Sequence, residues 1–180
     1  WSGKMLNYPT EEQLIKNWAD ILFNNNKRID RLNGQPLTKG EMQQLLNKVK
    51  ELRTPLALNG FINGKSVTIT RDNPADKLHF GKDVSLTIYN RLEIASGKSF
   101  YQIARQPKFE HHSFILPKRR GDLVLLINGM PVIHIELKSS KVPAMHAVNQ
   151  ITDKYIPEGV FTDCIFSLVQ ILDRKSTRLN

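Results

Sequence analysis

Apolar positions in the first fifty residues recur with the period of an α-helix. The run Thr10-Glu11-Glu12-Gln13 has the pattern of a capping box. The apolar residues that follow it share one helical face: Leu14, Trp18, Ile21 and Leu22. A second capping box at Thr38-Lys39-Gly40-Glu41 precedes another apolar face, formed by Met42, Leu45, Leu46 and Val49. The pattern predicts one helix over about 10–23 and a second after Thr38.

From about residue 56 the apolar period changes to two, which is typical of β-strands. Leu56 to Ile62, an Asn63-Gly64 turn and Val67 to Ile69 together predict a hairpin. Val84, Leu86 and Ile88 alternate with polar residues and predict another strand, and Ser113 to Leu116 predict one more.

The last third of the chain adds a helix and a final strand. Pro143 suits the first turn of a helix, and four apolar residues would share its face: Ala144, Val148, Ile151 and Tyr155. The apolar run from Ile165 to Ile171 predicts a strand. The pattern as a whole predicts an α/β domain, with a central mixed sheet flanked by helices.

The strongest hairpin signal lies at 122–138, where two apolar strands flank Asn128-Gly129. Its odd-numbered positions are aliphatic: Leu123, Leu125, Ile127, Ile133, Ile135 and Leu137. We therefore expect the odd-numbered face to be buried. Both odd faces reach one core only if the connection has three residues or contains a bulge, with Gly129 at positive φ.

Charged residues occupy the even-numbered positions of the same hairpin. The parity places Asp122 opposite or diagonal to Glu136, with Lys138 two residues further on the same face. Two carboxylates so close repel unless a cation lies between them, and Mg²⁺ prefers oxygen ligands. A lysine beside them can orient water or stabilise developing charge, so the group suits metal-assisted phosphodiester hydrolysis. The spacing also fits a half-exposed hairpin with ordinary surface charges. His134 lies on the same face, and we assign it no role in the site.

Composition narrows the class of protein. The chain has 180 residues with 40% hydrophobic content, which predicts a single domain. It has one cysteine and no apolar run of the ~18 residues that span a bilayer, so we expect a cytoplasmic protein with no membrane partner. A net charge of +9 suggests a polyanionic partner. The bases that flank the hairpin can hold a DNA backbone: Lys118, Arg119, Arg120 and Lys141.

The two ends of the chain look cut. Residues 173–180 (DRKSTRLN) read like a translated adapter joined to a truncated gene, so we expect a non-native tail there. Residues 1–172 would then form a partial nuclease domain, truncated at both ends.

A resemblance covers nearly the whole chain outside this tail. The combination of Arg120-Gly121-Asp122, Ile127-Asn128-Gly129-Met130-Pro131, Ile135-Glu136-Leu137-Lys138 and Gln150 resembles the PD-(D/E)XK nuclease core of type I restriction enzyme restriction subunits. The segments at 11–18, 31–38 and 166–171 are also similar to that family.

The resemblance implies a restriction-endonuclease-like fold and a Mg²⁺-dependent type I endonuclease that hydrolyses double-stranded DNA. It implies that Asp122 and Glu136 bind Mg²⁺, that Lys138 assists catalysis and that Gln150 supports the site. The family has a tyrosine one helical turn after its glutamine. Here Lys154 stands at that position and Tyr155 follows, about 140° from Gln150 in a regular α-helix. Tyr155 therefore supports the site only if the helix bulges or ends early.

The resemblance also implies a longer protein. That protein would have an ATP-driven translocase and would assemble with methylation and specificity subunits, and its ATP would not bind this part of the chain. Two other functions stay open from the residues alone. One is a PD-(D/E)XK nuclease of a standalone repair or mobile-element system, and the other is a non-catalytic basic DNA-binding or assembly module.

Overall fold

The structure is a computed structural model that describes residues 4–52, 54–63, 66–88, 99–109, 119–139, 141–143 and 145–177. Its helices are α1 (Glu11–Asn26), α2 (Lys39–Lys50), α3 (Pro55–Asn63) and α4 (Met145–Gln150). A π-helical turn (Ile151–Tyr155) continues α4, and a 3₁₀ turn lies at Ile165–Leu168. The strands are β1 (Lys4–Asn7), β2 (Val67–Thr70), β3 (Asp83–Leu86), β4 (Tyr101–Arg105), β5 (Lys108–Phe109), β6 (Arg119–Arg120), β7 (Leu123–Ile127), β8 (Met130–Ser139) and β9 (Ile171–Thr177).

Five strands form a central mixed sheet in the order β1-β4-β7-β8-β9. The inner pairs are antiparallel, whereas β1 runs parallel to β4 and β9 runs parallel to β8. Two smaller antiparallel sheets pair β2 with β3 and β5 with β6. The predicted α/β class, with a mixed central sheet flanked by helices, is confirmed. None of the described helices has the length and apolar character needed to cross a bilayer.

The two capping boxes confirm the helices predicted from them. Thr10 Oγ1 accepts from the Gln13 amide at 3.2 Å, and Gln13 Oε1 accepts from the Thr10 amide at 2.9 Å. Thr38 and Glu41 exchange the same two bonds at the start of α2. Each box satisfies amides that the first helical turn leaves without an internal partner.

The hairpin predicted over 56–70 is wrong in its first half. Residues 55–63 form α3, and the Ala57 amide donates to Thr54 Oγ1 at 3.1 Å, which caps the new helix. Pro55 suits the first helical position, and a short apolar run does not by itself distinguish a helix from a strand. The strand at 67–70 is correct, but its partner is β3. Gly64 of the predicted turn lies outside the described residues.

The final strand predicted over 165–171 is also wrong. Ile165, Phe166 and Leu168 are buried in the 3₁₀ turn, and the strand begins only at Ile171. It pairs with β8 as far as Thr177, so residues expected to be a non-native tail continue the sheet. The predicted strand at 113–116 lies outside the described residues.

The parity of the hairpin allowed either a three-residue connection or a bulge between β7 and β8, and the structure contains the bulge. Ile127 pairs with Met130 across a two-residue turn, where Asn128 has φ 50° and Gly129 has φ 84°. The register then shifts, and Val132 is the extra residue between the pairs Leu126–Pro131 and Leu125–Ile133. A side chain at Gly129 would place its Cβ 2.8 Å from Trp18 Cα. This turn therefore lies directly against α1.

The predicted buried face of this hairpin is wrong, because the even-numbered face is the one against the core. Val124, Leu126 and His134 are fully buried, and Glu136 is 2% exposed. The odd-numbered aliphatic residues are half-buried and lie outside the core cluster. Trp18 of α1, Tyr155 of the π-helical turn and Phe166 of the 3₁₀ turn share one core cluster with the even face. The odd-numbered face is the more aliphatic of the two, so composition alone predicts the wrong face.

Candidate active site

The bulge in β8 aligns the even-numbered faces of β7 and β8, and this alignment places Asp122 beside Glu136. Asp122 stands one residue before Leu123, which pairs with Ile135. Its Oδ2 accepts a hydrogen bond from the Leu137 amide at 2.7 Å. This bond joins the side chain to the backbone of β8 between Glu136 and Lys138. The register continues to place Asp122 opposite Glu136, and Glu136 acts on Asp122 through its charge and a side-chain hydrogen bond, so the two carboxylates lie on the same side of the sheet.

Glu136 is held on both of its carboxylate oxygens. Oε1 accepts from Lys138 Nζ at 2.9 Å. Oε2 lies 3.5 Å from Tyr155 Oη and 3.4 Å from His134 Nε2. Only 2% of the residue is exposed, so the orientation of the carboxylate is set by protein contacts.

Lys138 is the first member of a chain of polar contacts that leads into the helix after β8. Lys138 Nζ donates to Gln150 Oε1 at 2.7 Å, and Gln150 Nε2 donates to Tyr155 Oη. Tyr155 Oη in turn donates to the Arg120 carbonyl at 3.0 Å. The candidate residues Lys138, Gln150 and Tyr155 thus form one connected network beside the two carboxylates.

The π-helical turn explains why Tyr155 reaches Gln150. A regular α-helix would turn these side chains about 140° apart, but here the helix widens directly after Gln150, which is the kind of bulge that a Gln150–Tyr155 pair requires. In a π-helix the hydrogen bonds join residues five apart, as between the Ile156 amide and the Ile151 carbonyl at 3.0 Å. Residues 150 and 155 then lie about one turn apart. Such turns within α-helices occur frequently at functional sites.

The carboxylates differ in their preference for a proton. Burial raises the pKa of Asp122 above its ordinary value, and the nearby Glu136 carboxylate raises it further against the opposing Leu137 amide and Lys138. Burial also raises the pKa of Glu136, but His134 and Lys138 outweigh it and the net pKa is lowered. Burial, followed by the charge of Glu136, raises the pKa of the Tyr155 hydroxyl. The negative charge of this site is therefore only partly balanced by the protein.

The four bases proposed for DNA binding are placed differently. Arg119 forms two bonds with Glu158, at 2.9 and 2.6 Å, so it already has an anionic partner. Arg120 and Lys141 are exposed. Lys118 lies outside the described residues.

Sequence reasoning missed a groove beside Lys138. It has a volume of about 280 Å³, and α4 and the π-helical turn form one of its walls. Its lining residues are Lys138, Val142, His146, Asn149, Gln150, Asp153 and Lys154. His146, Asn149, Gln150 and Asp153 recur at helical spacing, which is the signal that predicts a polar helical face.

The described residues contain no group of three or more His, Cys, Asp or Glu side chains that could hold a metal ion. Asp122 and Glu136 are the carboxylates that this site offers. Fold and site together define an α/β domain with two neighbouring carboxylates, of which Glu136 is buried, a lysine and a glutamine–tyrosine pair on one face of a mixed sheet.

The comparisons with known proteins identify the family. The sequence matches the family "Type I restriction enzyme R protein N terminus" over residues 6–171, and the chain belongs to it. It is 33% identical over 145 residues to the type I restriction enzyme SsaAORF53P endonuclease subunit of Staphylococcus saprophyticus. It is 32% identical over 144 residues to the SauCOLORF180P endonuclease subunit of Staphylococcus aureus strain COL. Each alignment covers 78% of this chain and 13% of the relative, so the chain corresponds to a small part of those proteins.

Proposed function

We propose that this chain is the Mg²⁺-dependent nuclease domain of a type I restriction subunit and that it hydrolyses phosphodiester bonds of double-stranded DNA. The site would be of the PD-(D/E)XK type, with Asp122 and Glu136 as metal ligands and Lys138 as the catalytic cation. One observation carries the proposal. The bulge in the β7–β8 hairpin gathers these three side chains on the same face of the sheet.

The residues fit a Mg²⁺ ion. This ion commonly takes one or two carboxylates from a protein and completes its shell with water and phosphate oxygens. The pKa of Asp122 is raised by burial and by Glu136, and a bound cation would relieve this repulsion. When bound, Mg²⁺ polarises the phosphodiester and lowers the pKa of a coordinated water.

The remaining residues position Lys138. Lys138 donates one hydrogen bond to Gln150 and another to Glu136, so its ammonium group is held between these two side chains. From there it can stabilise the charge that develops on the phosphate oxygens. Tyr155 fixes Gln150 and is itself anchored to the Arg120 carbonyl. The exposed Arg120 and Lys141 would contact the DNA backbone.

The relatives favour the type I setting over a standalone repair or mobile-element nuclease, because they are named as type I endonuclease subunits. The converged carboxylates favour catalysis over a non-catalytic binding module. We propose that the whole subunit couples this domain to ATP-driven translocation, with ATP bound elsewhere, and works with methylation and specificity subunits in the cytoplasm.

The test uses the full-length subunit in its assembled enzyme. We expect Asp122→Ala, Glu136→Ala and Lys138→Ala each to abolish DNA cutting while ATP hydrolysis continues, because each removes a ligand or the catalytic cation. Asp20→Ala, on the exposed side of α1, is the matched control and should cut normally. Cutting that persists in all three variants would contradict the proposal.

A further inference from the structure

His134 is a fully buried histidine whose polar atoms are not satisfied. It is 0% exposed, and among the described residues neither ring nitrogen has a hydrogen-bond partner. A buried polar group without a partner costs about 1–3 kcal/mol, so a folded domain rarely retains one without a reason.

Aromatic rings fix the orientation of this imidazole. The ring centroids of Phe109, Tyr155 and Phe161 lie 5.9, 5.8 and 5.6 Å from that of His134. On another side, a Cβ at Gly121 would come within 2.8 Å of His134 Cε1. The glycine before Asp122 thus allows the closest approach of the backbone to the ring. The imidazole has little freedom to turn away from its place.

This orientation directs one ring nitrogen toward Glu136. His134 Nε2 lies 3.4 Å from Glu136 Oε2, a few tenths of an ångström beyond a good hydrogen bond. Lys138 occupies the other oxygen, Oε1. The two carboxylate oxygens of Glu136 therefore face different side chains: Oε1 faces Lys138 and Oε2 faces His134.

We propose that His134 is a positioning residue for Glu136, resting on the function proposed above. Its imidazole, facing Glu136 through Nε2, anchors Oε2 and would thereby direct Oε1 toward a divalent ion. Partners of this kind, which hold a ligand rather than the ion, commonly change metal affinity about 10- to 100-fold when they are removed. The cost of leaving Nε2 without a partner would then be recovered with Glu136 in its metal-bound position.

The test measures Mn²⁺ binding to the full-length subunit by the electron paramagnetic resonance of the free ion. His134→Leu fills the space between the aromatic rings without a hydrogen-bond donor. His134→Gln places a side-chain amide near the position of Nε2. We expect His134→Leu to weaken Mn²⁺ binding about tenfold or more, as loss of such a partner does. We expect His134→Gln to recover most of it.

Stability distinguishes positioning from packing. Leucine removes two unsatisfied ring nitrogens but also a group that lowers the pKa of Glu136, so the stability of His134→Leu should lie close to that of the parent. Weaker metal binding with undiminished stability supports the proposal. Unchanged Mn²⁺ binding in His134→Leu would overturn it. Equal losses of metal binding and stability in both variants would also overturn it.

A Glu136→Ala arm separates this inference from the function on which it rests. If Glu136→Ala loses the Mn²⁺ site while His134→Leu keeps it, the inference fails and the proposed metal site stands. If Glu136→Ala keeps the site with full affinity, the proposed function itself is wrong.

Discussion

The domain contains two clusters of charged side chains that include buried carboxylates, and they differ in how completely the protein satisfies their charges. In the first cluster, Arg71 donates to Asp76 Oδ2 at 3.0 Å and to Glu41 Oε2 at 2.6 Å, and both of its ion pairs are fully buried. Its remaining donors reach the carbonyls of Leu32, Gln35 and Pro36. Glu41 Oε1 accepts from the Asp72 amide at 2.9 Å. This cluster has no need of a further ion.

The second cluster is the Asp122–Glu136–Lys138 site, where the pKa of the aspartate shifts in the opposite direction to that of Asp76. Burial opposes ionisation of Asp76, yet hydrogen bonds from Arg71, Asn33 and His79 lower its pKa to about 2. Burial also opposes ionisation of Asp122, but there the net pKa is raised and Glu136 adds to the effect. The comparison shows that burial alone does not decide the direction in which the pKa of a carboxylate shifts. The balance of the surrounding charges and hydrogen bonds decides it.

The substitution with the largest predicted effect removes the cation of the first cluster, Arg71. Arg71→Met leaves two carboxylates buried without their cation, which should lower the free energy of unfolding by about 3–5 kcal/mol. Urea unfolding of the chain measures this. Arg28→Met is the control, because Arg28 belongs to an exposed pair with Asp30 and such pairs contribute about 0–1 kcal/mol. Similar losses in the two variants would refute the assigned role of Arg71.

A smaller effect should come from adding Mg²⁺. An ion that binds only the folded domain stabilises it by about 1.4 kcal/mol when present at ten times its Kd. The gain should appear in the parent chain and disappear in Glu136→Gln, as followed by urea unfolding with and without the ion. An equal gain in both chains would place the ion elsewhere.

The smallest effect concerns the proton affinity of Asp122. Because the folded-state pKa is raised above the ordinary value of 3.8, ionised Asp122 destabilises the fold at neutral pH. This penalty lessens as the pH falls through the raised pKa and is gone below about 3.8. Without metal, Asp122→Asn should therefore be more stable than the parent at pH 7, by about 1 kcal/mol, a size usual for a single stabilising substitution.

The pH series gives this prediction its control. The advantage of Asp122→Asn should shrink toward pH 4. Asp76 follows the opposite rule, since its stabilisation is present above 3.8 and is lost as the pH falls toward about 2. Asp76→Asn should accordingly be less stable than the parent at pH 7. An Asp122→Asn variant that is also less stable at pH 7 would contradict the contrast between the clusters.

Local signals made part of this fold predictable. The capping boxes at Thr10 and Thr38 act within four residues, so α1 and α2 follow from sequence. Parity required a bulge or a longer loop in the hairpin, and Val132 supplies the bulge. These features depend on few neighbours, which is why sequence reasoning reached them.

Tertiary packing decided the features that sequence reasoning missed. Residues 55–63 and 165–168 are short apolar runs whose conformation depends on what they pack against. The even-numbered face is buried because α1 and the π-helical turn both cover it, although it carries Glu136 and His134. The π-helical turn that brings Tyr155 to Gln150 has no local signature in the sequence. The residue types of the site were predictable, but the network joining them was not.

The most direct test of the central claim is a crystal structure of the domain soaked with Mn²⁺, with anomalous scattering used to locate the ion. We predict one peak in ligand contact with both the Asp122 carboxylate and Glu136 Oε1. Contact of the ion with neither carboxylate, or a site without a peak at Mn²⁺ concentrations that support DNA cutting by the assembled enzyme, would contradict the account.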